Sequence, residues 1–192
     1  IMWKRKQSTL VWVASGIREM SGSEEELVAK EAALHGILRG LERVAVALSG
    51  GVDSSYLLAA SVAALGRDRV IALTADSPLF PGDELNVAQS IAAVLGVEHR
   101  VVPMDDLANP RVASNPVDRC YHCKRARFAA LQALAAEAGA AVLLHGENAD
   151  DHLQYRPGRR AAEELGARSP LAEAGLGKAE IRALAKRAGL PN

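Results

Sequence analysis

The stretch that decides the fold runs from Val44 to Ser54 and reads Val-Ala-Val-Ala-Leu-Ser-Gly-Gly-Val-Asp-Ser. Residues 44–48 are apolar and predict a buried strand, and the pattern of residues 54–65 predicts a helix that stops at Gly66. Two consecutive glycines between a strand and a helix let the backbone turn tightly and approach an anion without a side chain in between. The stretch therefore predicts a phosphate-binding turn within an α/β fold.

The polar groups of this turn suit a pyrophosphate. Backbone N–H groups, the hydroxyls of Ser49 and Ser54 and the positive end of the helix all favour an anion there. Asp53 would repel phosphate, so we expect it to cap the helix or to bind a Mg²⁺ ion that neutralises the phosphates. The predicted nucleotide-binding residues are those of the turn and two at the ends of later strands: Ser49, Gly50, Gly51, Val52, Asp53, Ser54, Asp76 and Gly146.

Strand and helix patterns alternate along the rest of the chain. A leading helix is predicted from Ser23, where Glu26 completes a capping box, and a long loop is predicted over residues 103–118. The further predicted strands and helices are, in chain order, residues 70–74, 81–95, 98–102, 120–138, 141–145 and 178–188. Short strands that alternate with helices predict a doubly wound parallel sheet, an α/β fold whose ligands bind beyond the carboxyl ends of the strands.

Composition narrows the class of partner and the compartment. The 192 residues contain 23 Lys and Arg against 23 Asp and Glu, a balance that gives no cationic footprint for nucleic acid. No run reaches the roughly 20 apolar residues of a membrane span. The two cysteines are too few for a disulfide framework. We therefore expect a cytoplasmic protein with a small-molecule partner, no nucleic-acid partner and no membrane contact.

The two cysteines, Cys120 and Cys123, form a Cys-x-x-Cys pair, which in such a protein indicates metal or redox chemistry. A thioredoxin-like role fits less well, because the pair follows a long loop and not the first strand of a βαβ unit. The neighbouring Arg119 and Lys124 would lower the pKa of the thiols and favour thiolate. Zinc would need further ligands, and the candidate histidines are His99, His122, His145 and His152.

Further motifs accompany the turn and the cysteine pair. They are Thr74-Ala75-Asp76-Ser77-Pro78, Asn115-Pro116-Val117-Asp118-Arg119-Cys120-Tyr121-His122-Cys123-Lys124, Gly146-Glu147-Asn148-Ala149-Asp150-Asp151, Tyr155-Arg156-Pro157-Gly158 and Arg168-Ser169-Pro170-Leu171 leading to Lys178. The turn resembles the PP-loop signature of enzymes that cleave ATP between its α and β phosphates. In their order, all these motifs resemble the LarE-type sacrificial sulfur transferases, and the resemblance covers about residues 24–192.

The resemblance implies an ATP-dependent enzyme of nickel-pincer nucleotide cofactor biosynthesis. Such enzymes use ATP and Mg²⁺ to adenylylate a carboxylate of pyridinium-3,5-biscarboxylic acid mononucleotide, release pyrophosphate and replace the activated oxygen with sulfur. The sulfur comes from a sacrificed cysteine or from a 4Fe-4S iron-sulfur cluster held by three cysteines. The predicted catalytic residues are Cys120, Cys123 and Asp53, the cysteines resemble two cluster ligands, and Asp53 and Asp150 are the predicted Mg²⁺ ligands.

The expected organisation has a leader, one main domain and the start of another region. Residues 1–22 are interpreted as a disordered leader or upstream sequence, and residues 23–172 as the PP-loop ATP pyrophosphatase domain. Residues 173–192 are interpreted as the start of a truncated helical or substrate region, beyond which the family carries its third cysteine. The resemblance also implies a homo-oligomer.

Other interpretations stay open. An ammonia-dependent amide ligase of the NAD synthetase kind shares the turn but gives the cysteine pair no role. A tRNA-thiolating enzyme would use cysteines but needs a cationic surface. A third possibility is a domain that binds ATP without turning it over. Asp150 and Asp151 also suit an ordinary polar turn, and Arg156, Arg159 and Arg160 either clamp a substrate phosphate or form a solvated surface.

Overall fold

The computed structural model describes residues 10–13, 16–19, 22–77, 82–108, 110–114, 116–153 and 157–191. Within this part of the chain, an antiparallel hairpin of β1 (Leu10–Val13) and β2 (Gly16–Glu19) precedes a four-stranded parallel sheet. The strands of the sheet are β3 (Val44–Ala47), β4 (Val70–Asp76), β5 (Glu98–Pro103) and β6 (Val142–His145). The helices are α1 (Gly22–Arg39), α2 (Val52–Leu65), α3 (Glu84–Leu95), α4 (Pro110–Ala113), α5 (Arg119–Glu137), α6 (Pro157–Glu164), α7 (Pro170–Glu173) and α8 (Lys178–Arg187).

The hairpin lies in the segment 1–22, for which the sequence predicted disorder or upstream sequence. Its first strand reads Leu-Val-Trp-Val, a run of residues that favour extended backbone. Leu10 pairs with Glu19 and Val13 with Gly16. The described residues of this segment thus form a short hairpin, and the interpretation of residues 1–22 as a leader or upstream sequence stays a prediction.

Strand β3 lies inside the sheet, whose order is β5-β4-β3-β6 with all neighbours parallel. The chain leaves β3 for β4 on one side and later places β6 on the other side. The loops that follow β3 and β6 consequently diverge, and a crevice opens between them at the carboxyl ends of the strands. The doubly wound parallel α/β fold predicted from the sequence is confirmed.

Alternate residues of the strands supply two cores, one on each face of the sheet. Val44 and Val46 face the core that contains α1, α2, α3 and α8, whereas Ala45 faces the core that contains α5 and α6. Leu144 and Leu143 of β6 divide between the two cores in the same way. A sheet covered by helices on both faces needs apolar residues at consecutive positions, which explains the unbroken apolar runs in the sequence.

A short segment around Arg168 extends the sheet beyond β6. The N–H of His145 donates to the carbonyl of Arg168 at 2.9 Å, and the N–H of Arg168 donates to the carbonyl of Leu143 at 3.0 Å. The chain then runs through α7 into α8, which packs against α2. The last described helix is thereby brought back to the helix that follows the phosphate-binding turn.

Some local details differ from the predicted ones. Helix α1 begins at Gly22, so Ser23 lies inside its first turn and is not its N-cap. The predicted loop 103–118 contains a 3₁₀ turn (Asp106–Ala108) and α4. The short helices α6 and α7 were also not predicted, because pieces of one or two turns show too little helical period in a sequence.

Across the described part of the chain, no helix combines the length and the apolar character that crossing a bilayer requires.

We expect Leu144→Ala to destabilise the fold by about 2–5 kcal/mol, because this side chain is fully buried between the sheet and its covering helices. Chemical denaturation measures the change in the free energy of unfolding. Val94→Ala is the matched control; its side chain is 78% exposed, and the change should stay within about 0.5 kcal/mol. Equal losses in the two variants would contradict the place of Leu144 in the core.

Candidate active site

A cleft of about 480 Å³ lies at the carboxyl ends of the strands. One wall is the turn that follows β3, and the opposite wall is the side of α5 that carries Lys124, Phe128 and Leu131. The loop after β6 and the start of α8 complete it, and Asp76 at the end of β4 also lines it. The cleft thus occupies the crevice that the strand order opens, and its size suits a small-molecule ligand.

The turn after β3 is held in one shape by its own hydroxyls. The Ser54 hydroxyl donates to the Gly51 carbonyl at 3.0 Å and accepts the Ser49 N–H at 3.2 Å, and the Ser55 hydroxyl also donates to the Gly51 carbonyl, at 2.9 Å. Gly50 has a φ of +82°, and a Cβ there would lie 2.5 Å from the Glu84 carbonyl oxygen. Only glycine fits this position. The first N–H groups of α2 lack acceptors within the helix, as the predicted anion-binding role requires.

Gly146, the first residue after β6, packs directly against the start of α2. A Cβ at this position would lie 2.7 Å from the backbone nitrogen of Ser54 and 3.0 Å from the carbonyl carbon of Asp53. The loop after β6 therefore touches the phosphate-binding turn through backbone alone.

The Asp53 carboxylate joins three segments of the chain. Its Oδ2 accepts hydrogen bonds from Lys178 Nζ at 2.7 Å and from Asn148 Nδ2 at 3.1 Å. Helix α2 has Gly51 at its N-cap without a side-chain hydrogen bond, so the expectation that Asp53 caps the helix is wrong. Asp53 instead pairs with Lys178, which was not among the predicted site residues.

The other oxygen of Asp53, Oδ1, is buried and has no hydrogen-bond partner among the described residues. A buried carboxylate oxygen without a partner is costly, and hard cations such as Mg²⁺ prefer oxygen ligands of this kind. Asp53 therefore fits the predicted role of a Mg²⁺ ligand. The remaining ligands would come from phosphate oxygens and water, as is usual for Mg²⁺ with nucleotides.

The loop after β6 is organised by Asn148, which is buried (3% exposed). Its side-chain oxygen accepts the N–H groups of Asp150 at 3.0 Å and of Asp151 at 3.3 Å. The Asp150 carboxylate accepts the N–H of Lys178 at 2.7 Å and so caps α8, while Asp151 lines the cleft. The structure thus gives Asp150 a contact at the start of α8, and its role as a Mg²⁺ ligand stays a prediction.

Two of the histidines considered as zinc ligands, His99 and His145, lie on strands of the sheet. The Thr74 hydroxyl donates its proton to the Leu48 carbonyl at 2.7 Å, so His99 Nε2, 2.8 Å from that hydroxyl, must be the donor in their contact. Burial lowers the pKa of His99. Burial, with a smaller contribution from Lys124, lowers the pKa of His145 to about 3, so this imidazole is neutral in the folded protein.

His145 belongs to a group of side chains on the α5 and α6 side of the cleft. It meets the ring of Phe128 edge-on with centroids 5.3 Å apart. The Glu147 side chain is 8% exposed, and its carboxylate lies 3.4 Å from Arg159 Nε. Arg159 lines the cleft, whereas the exposed Arg160 pairs with Glu164 at 2.8 Å on α6. Of the predicted basic cluster, the structure therefore brings Arg159 to the cleft, and Arg156 lies outside the described residues.

The two cysteines have different environments. Cys120 is exposed, whereas Cys123 is buried and its thiol donates to Asp106 Oδ1 at 3.7 Å. Burial raises the pKa of Cys123, an effect that nearby Arg127 opposes and Asp106 reinforces. The expectation that flanking cations lower the pKa of both thiols is therefore wrong for Cys123, because the sequence does not reveal its burial or the carboxylate beside it.

In the described residues, no three His, Cys, Asp or Glu side chains come together as a metal site. Two thiols alone do not hold a 4Fe-4S cluster, which takes three or four cysteine ligands. The described residues thus do not by themselves fit the predicted cluster.

Asp106, which sequence reasoning missed, does not line the cleft itself but binds Ser77 and Arg127, which do. Its carboxylate is fully buried and accepts hydrogen bonds from Ser77 and, at 2.8 Å, from Arg127 Nη2. Burial alone would raise the pKa of Asp106, but these hydrogen bonds outweigh burial and the pKa is lowered. The only sequence signal was the position of Asp106 just after a predicted strand. The motif residues Pro78, Asn115 and Tyr155 lie outside the described residues.

Comparison with known proteins agrees with this geometry. The family model described as asparagine synthase matches residues 28–188. A pyridinium-3,5-bisthiocarboxylic acid mononucleotide synthase from Lactiplantibacillus plantarum is 40% identical over 166 residues, which cover 86% of this chain and 60% of that protein. This match confirms the resemblance to the nickel-pincer sulfur transferases. The chain spans 60% of the length of that relative.

Two solved structures share the fold. A glutamine-dependent NAD⁺ synthetase from Acinetobacter baumannii, in complex with ADP, matches with a TM-score of 0.70 at 22% identity, covering 91% of this chain and 35% of that chain. A U34-tRNA thiolase from Methanococcus maripaludis, solved with its 4Fe-4S cluster, matches with a TM-score of 0.64 at 18% identity, covering 88% of this chain and 65% of that chain.

We expect Gly146→Ala to weaken the binding of pyrophosphate by about tenfold, because the new Cβ would push the loop away from the turn and such overpacking costs about 1–3 kcal/mol. Isothermal titration calorimetry with pyrophosphate measures the effect. Gly36→Ala is the matched control, since a Cβ there meets nothing within 4 Å, and it should bind as the unaltered protein does. Equal affinities in the two variants would show that the contact with Ser54 is unimportant.

The buried imidazole of His145 predicts a pH dependence of stability. Its pKa is about 3 in the folded protein against an ordinary value of 6.5, so between these values the unfolded chain binds a proton that the folded protein does not. Stability should therefore fall as the pH falls from about 6.5 towards 3, and less so in His145→Gln. Urea denaturation at a series of pH values measures this, and parallel profiles for the two proteins would contradict it.

Proposed function

The chain belongs to the asparagine synthase family, and we propose that it is an ATP-dependent sulfur transferase. In this proposal it adenylylates a carboxylate of pyridinium-3,5-biscarboxylic acid mononucleotide, releases pyrophosphate and forms a thiocarboxylate. The observation that carries the proposal is that one cleft joins the phosphate-binding turn to α5, the helix that bears Cys120 and Cys123. The relationship to the Lactiplantibacillus plantarum synthase supports the same substrate class.

The turn supports cleavage of ATP between its α and β phosphates. The N–H groups at the start of α2 and the helix dipole favour the pyrophosphate that leaves. Lys178 Nζ lies 2.7 Å from Asp53 Oδ2 and adds a positive charge beside the phosphate-binding turn. Positive groups fixed where negative charge develops lower the barrier of such a reaction.

The unpartnered Oδ1 of Asp53 supports a requirement for Mg²⁺. When bound there, Mg²⁺ would neutralise charge on the phosphates of ATP. With Oδ2 of Asp53 held by Lys178 and Asn148, Oδ1 is the carboxylate oxygen left for the metal. Asp53 would thus be the protein ligand that places the metal beside the turn.

Adenylylation gives the substrate carboxylate a good leaving group, AMP, before a thiolate or sulfide attacks its carbon. The cysteine pair supports sulfur as the second nucleophile, and the amide-ligase interpretation leaves that pair without a role. The described residues supply two thiols and no further cluster ligands. A sacrificed cysteine and cluster-bound sulfide therefore remain two outcomes that experiment separates.

The test is an assay with ATP, Mg²⁺ and pyridinium-3,5-biscarboxylic acid mononucleotide. We expect pyrophosphate release that depends on the mononucleotide and a thiocarboxylate product detected by mass spectrometry. Lys178→Ala should slow pyrophosphate release by roughly a hundredfold, as the loss of one fixed positive group does in other enzymes. Lys186→Ala, an exposed lysine on the same helix, is the matched control and should keep the rate of the unaltered protein.

The source of the sulfur is read from the protein after the reaction. Dehydroalanine at Cys120 or Cys123, found by peptide mass spectrometry, would indicate a sacrificed cysteine. Iron and acid-labile sulfide after anaerobic purification, lost in a Cys120→Ala, Cys123→Ala variant, would indicate a cluster. Pyrophosphate release that depends on ammonia and yields an amide would overturn the proposal in favour of an amide ligase.

A further inference from the structure

Asp106 lies directly beyond the carboxyl end of β5, in the 3₁₀ turn Asp106–Ala108. Its side chain is completely shielded from solvent, with 0% exposed. An ionised carboxylate at such a position is expensive unless charged and polar groups surround it. The sequence around Asp106 gives no hint of these groups, because all of them come from other segments.

Three side chains from two other elements surround the Asp106 carboxylate. Ser77, just after β4, donates its hydroxyl to Oδ2. Arg127 on α5 donates from Nη2 to the same oxygen at 2.8 Å, and Cys123 on α5 donates its thiol to Oδ1 at 3.7 Å. Asp106 therefore fastens the first turns of α5 to the carboxyl edge of the sheet.

This attachment decides how α5 meets the cleft. Residues three and four positions apart share one side of a helix, so Cys120 lies on the same side as Lys124, one turn closer to the helix start. Lys124 and Phe128 line the cleft, and Cys120, one turn before Lys124, is exposed. By the same spacing Cys123 precedes Arg127, which also lines the cleft. Cys123 is 8% exposed and is directed to Asp106 instead.

We propose that Asp106 is a positioning residue that makes the two cysteines unequal, holding Cys123 buried against the carboxyl edge of the sheet and leaving Cys120 exposed. The role rests on the proposed sulfur-transfer function, in which the place of α5 relative to the nucleotide matters. Among the described residues, the hydrogen bonds of the Asp106 side chain go to Ser77, Cys123 and Arg127 and none to the phosphate-binding turn. Its effect should therefore reach the cysteines and spare the binding of pyrophosphate.

A buried ion pair with a structural role alone would give a different result. Its loss would loosen the whole fold, so the reactivity of Cys123 would rise only as much as in any variant that lowers the free energy of unfolding equally. The positioning role instead predicts a local opening of the start of α5, because a buried thiol reacts only when its surroundings open. Comparing the reactivity of Cys123 in Asp106→Asn with that in Leu144→Ala, which loosens the fold from a buried core position, separates these cases and needs no substrate.

The experiment is limited alkylation of the folded protein with iodoacetamide, followed by mass spectrometry of the peptides that carry each cysteine. We expect Cys120 to react at least about tenfold faster than Cys123 in the unaltered protein. In Asp106→Asn, the reaction of Cys123 should accelerate by about tenfold and that of Cys120 by less than about twofold. A change of this size is what the loss of one charge-assisted hydrogen bond gives.

Asp68→Asn is the matched control, the same change at an exposed aspartate at the opposite end of β4, and should leave both rates unchanged. Ser77→Ala removes one donor and keeps the carboxylate, so it supplies a milder variant if Asp106→Asn does not fold. Unchanged reactivity of Cys123 in a folded Asp106→Asn variant, or an equal acceleration of Cys123 in Leu144→Ala, would overturn the proposal.

Calorimetry and activity complete the test. Pyrophosphate affinity in Asp106→Asn should stay within about twofold of the unaltered protein, since the turn at 49–54 is untouched. The rate of thiocarboxylate formation should fall. If no thiocarboxylate forms even with the unaltered protein, the proposed function fails, while the alkylation of Cys123 still decides the positioning role.

Discussion

The pairing of β3 with β4 on one side and with β6 on the other is the constraint on which the rest depends. Because these three strands are parallel and in register, their carboxyl ends lie at one edge, and the loops after β3 and β6 meet there. Gly146 lets those loops touch through backbone, and a Cβ there would stand 2.7 Å from the Ser54 nitrogen. The phosphate-binding turn, the loop that carries Asn148 and the start of α8 all take their places from this edge.

The fold and the turn could be predicted because their signals are local. A buried strand, two glycines and a helix follow one another within a dozen or so residues, and the alternation of strands and helices repeats along the chain. Apolar periodicity also located the sheet strands to within a residue or two. The hairpin before α1 and the one-turn helices escaped prediction, since their patterns are too short to stand out.

The rest of the site could not be predicted, because its contacts join distant parts of the chain. Lys178 and Asp53 are 125 positions apart, and Asn148 and Asp53 are 95 apart. The charged neighbours of the cysteine pair led to a wrong expectation for Cys123. Arg119 and Lys124 flank the pair, but burial and Asp106, 17 positions away, raise the pKa of the Cys123 thiol. The sequence thus indicated candidate residues for the chemistry, and only the fold revealed their burial and their contacts.

The N-terminal cap of α8 restricts how positions 150 and 177 can vary in evolution. A Cβ at Gly177 would lie 3.0 Å from both oxygens of the Asp150 carboxylate, which in turn holds the N–H of Lys178. A larger residue at position 177 would displace that carboxylate, and with it the start of the helix that carries Lys178 to Asp53. In related sequences positions 150 and 177 should therefore change together or stay as they are. A paired change would mark a protein in which the start of α8 has a different conformation.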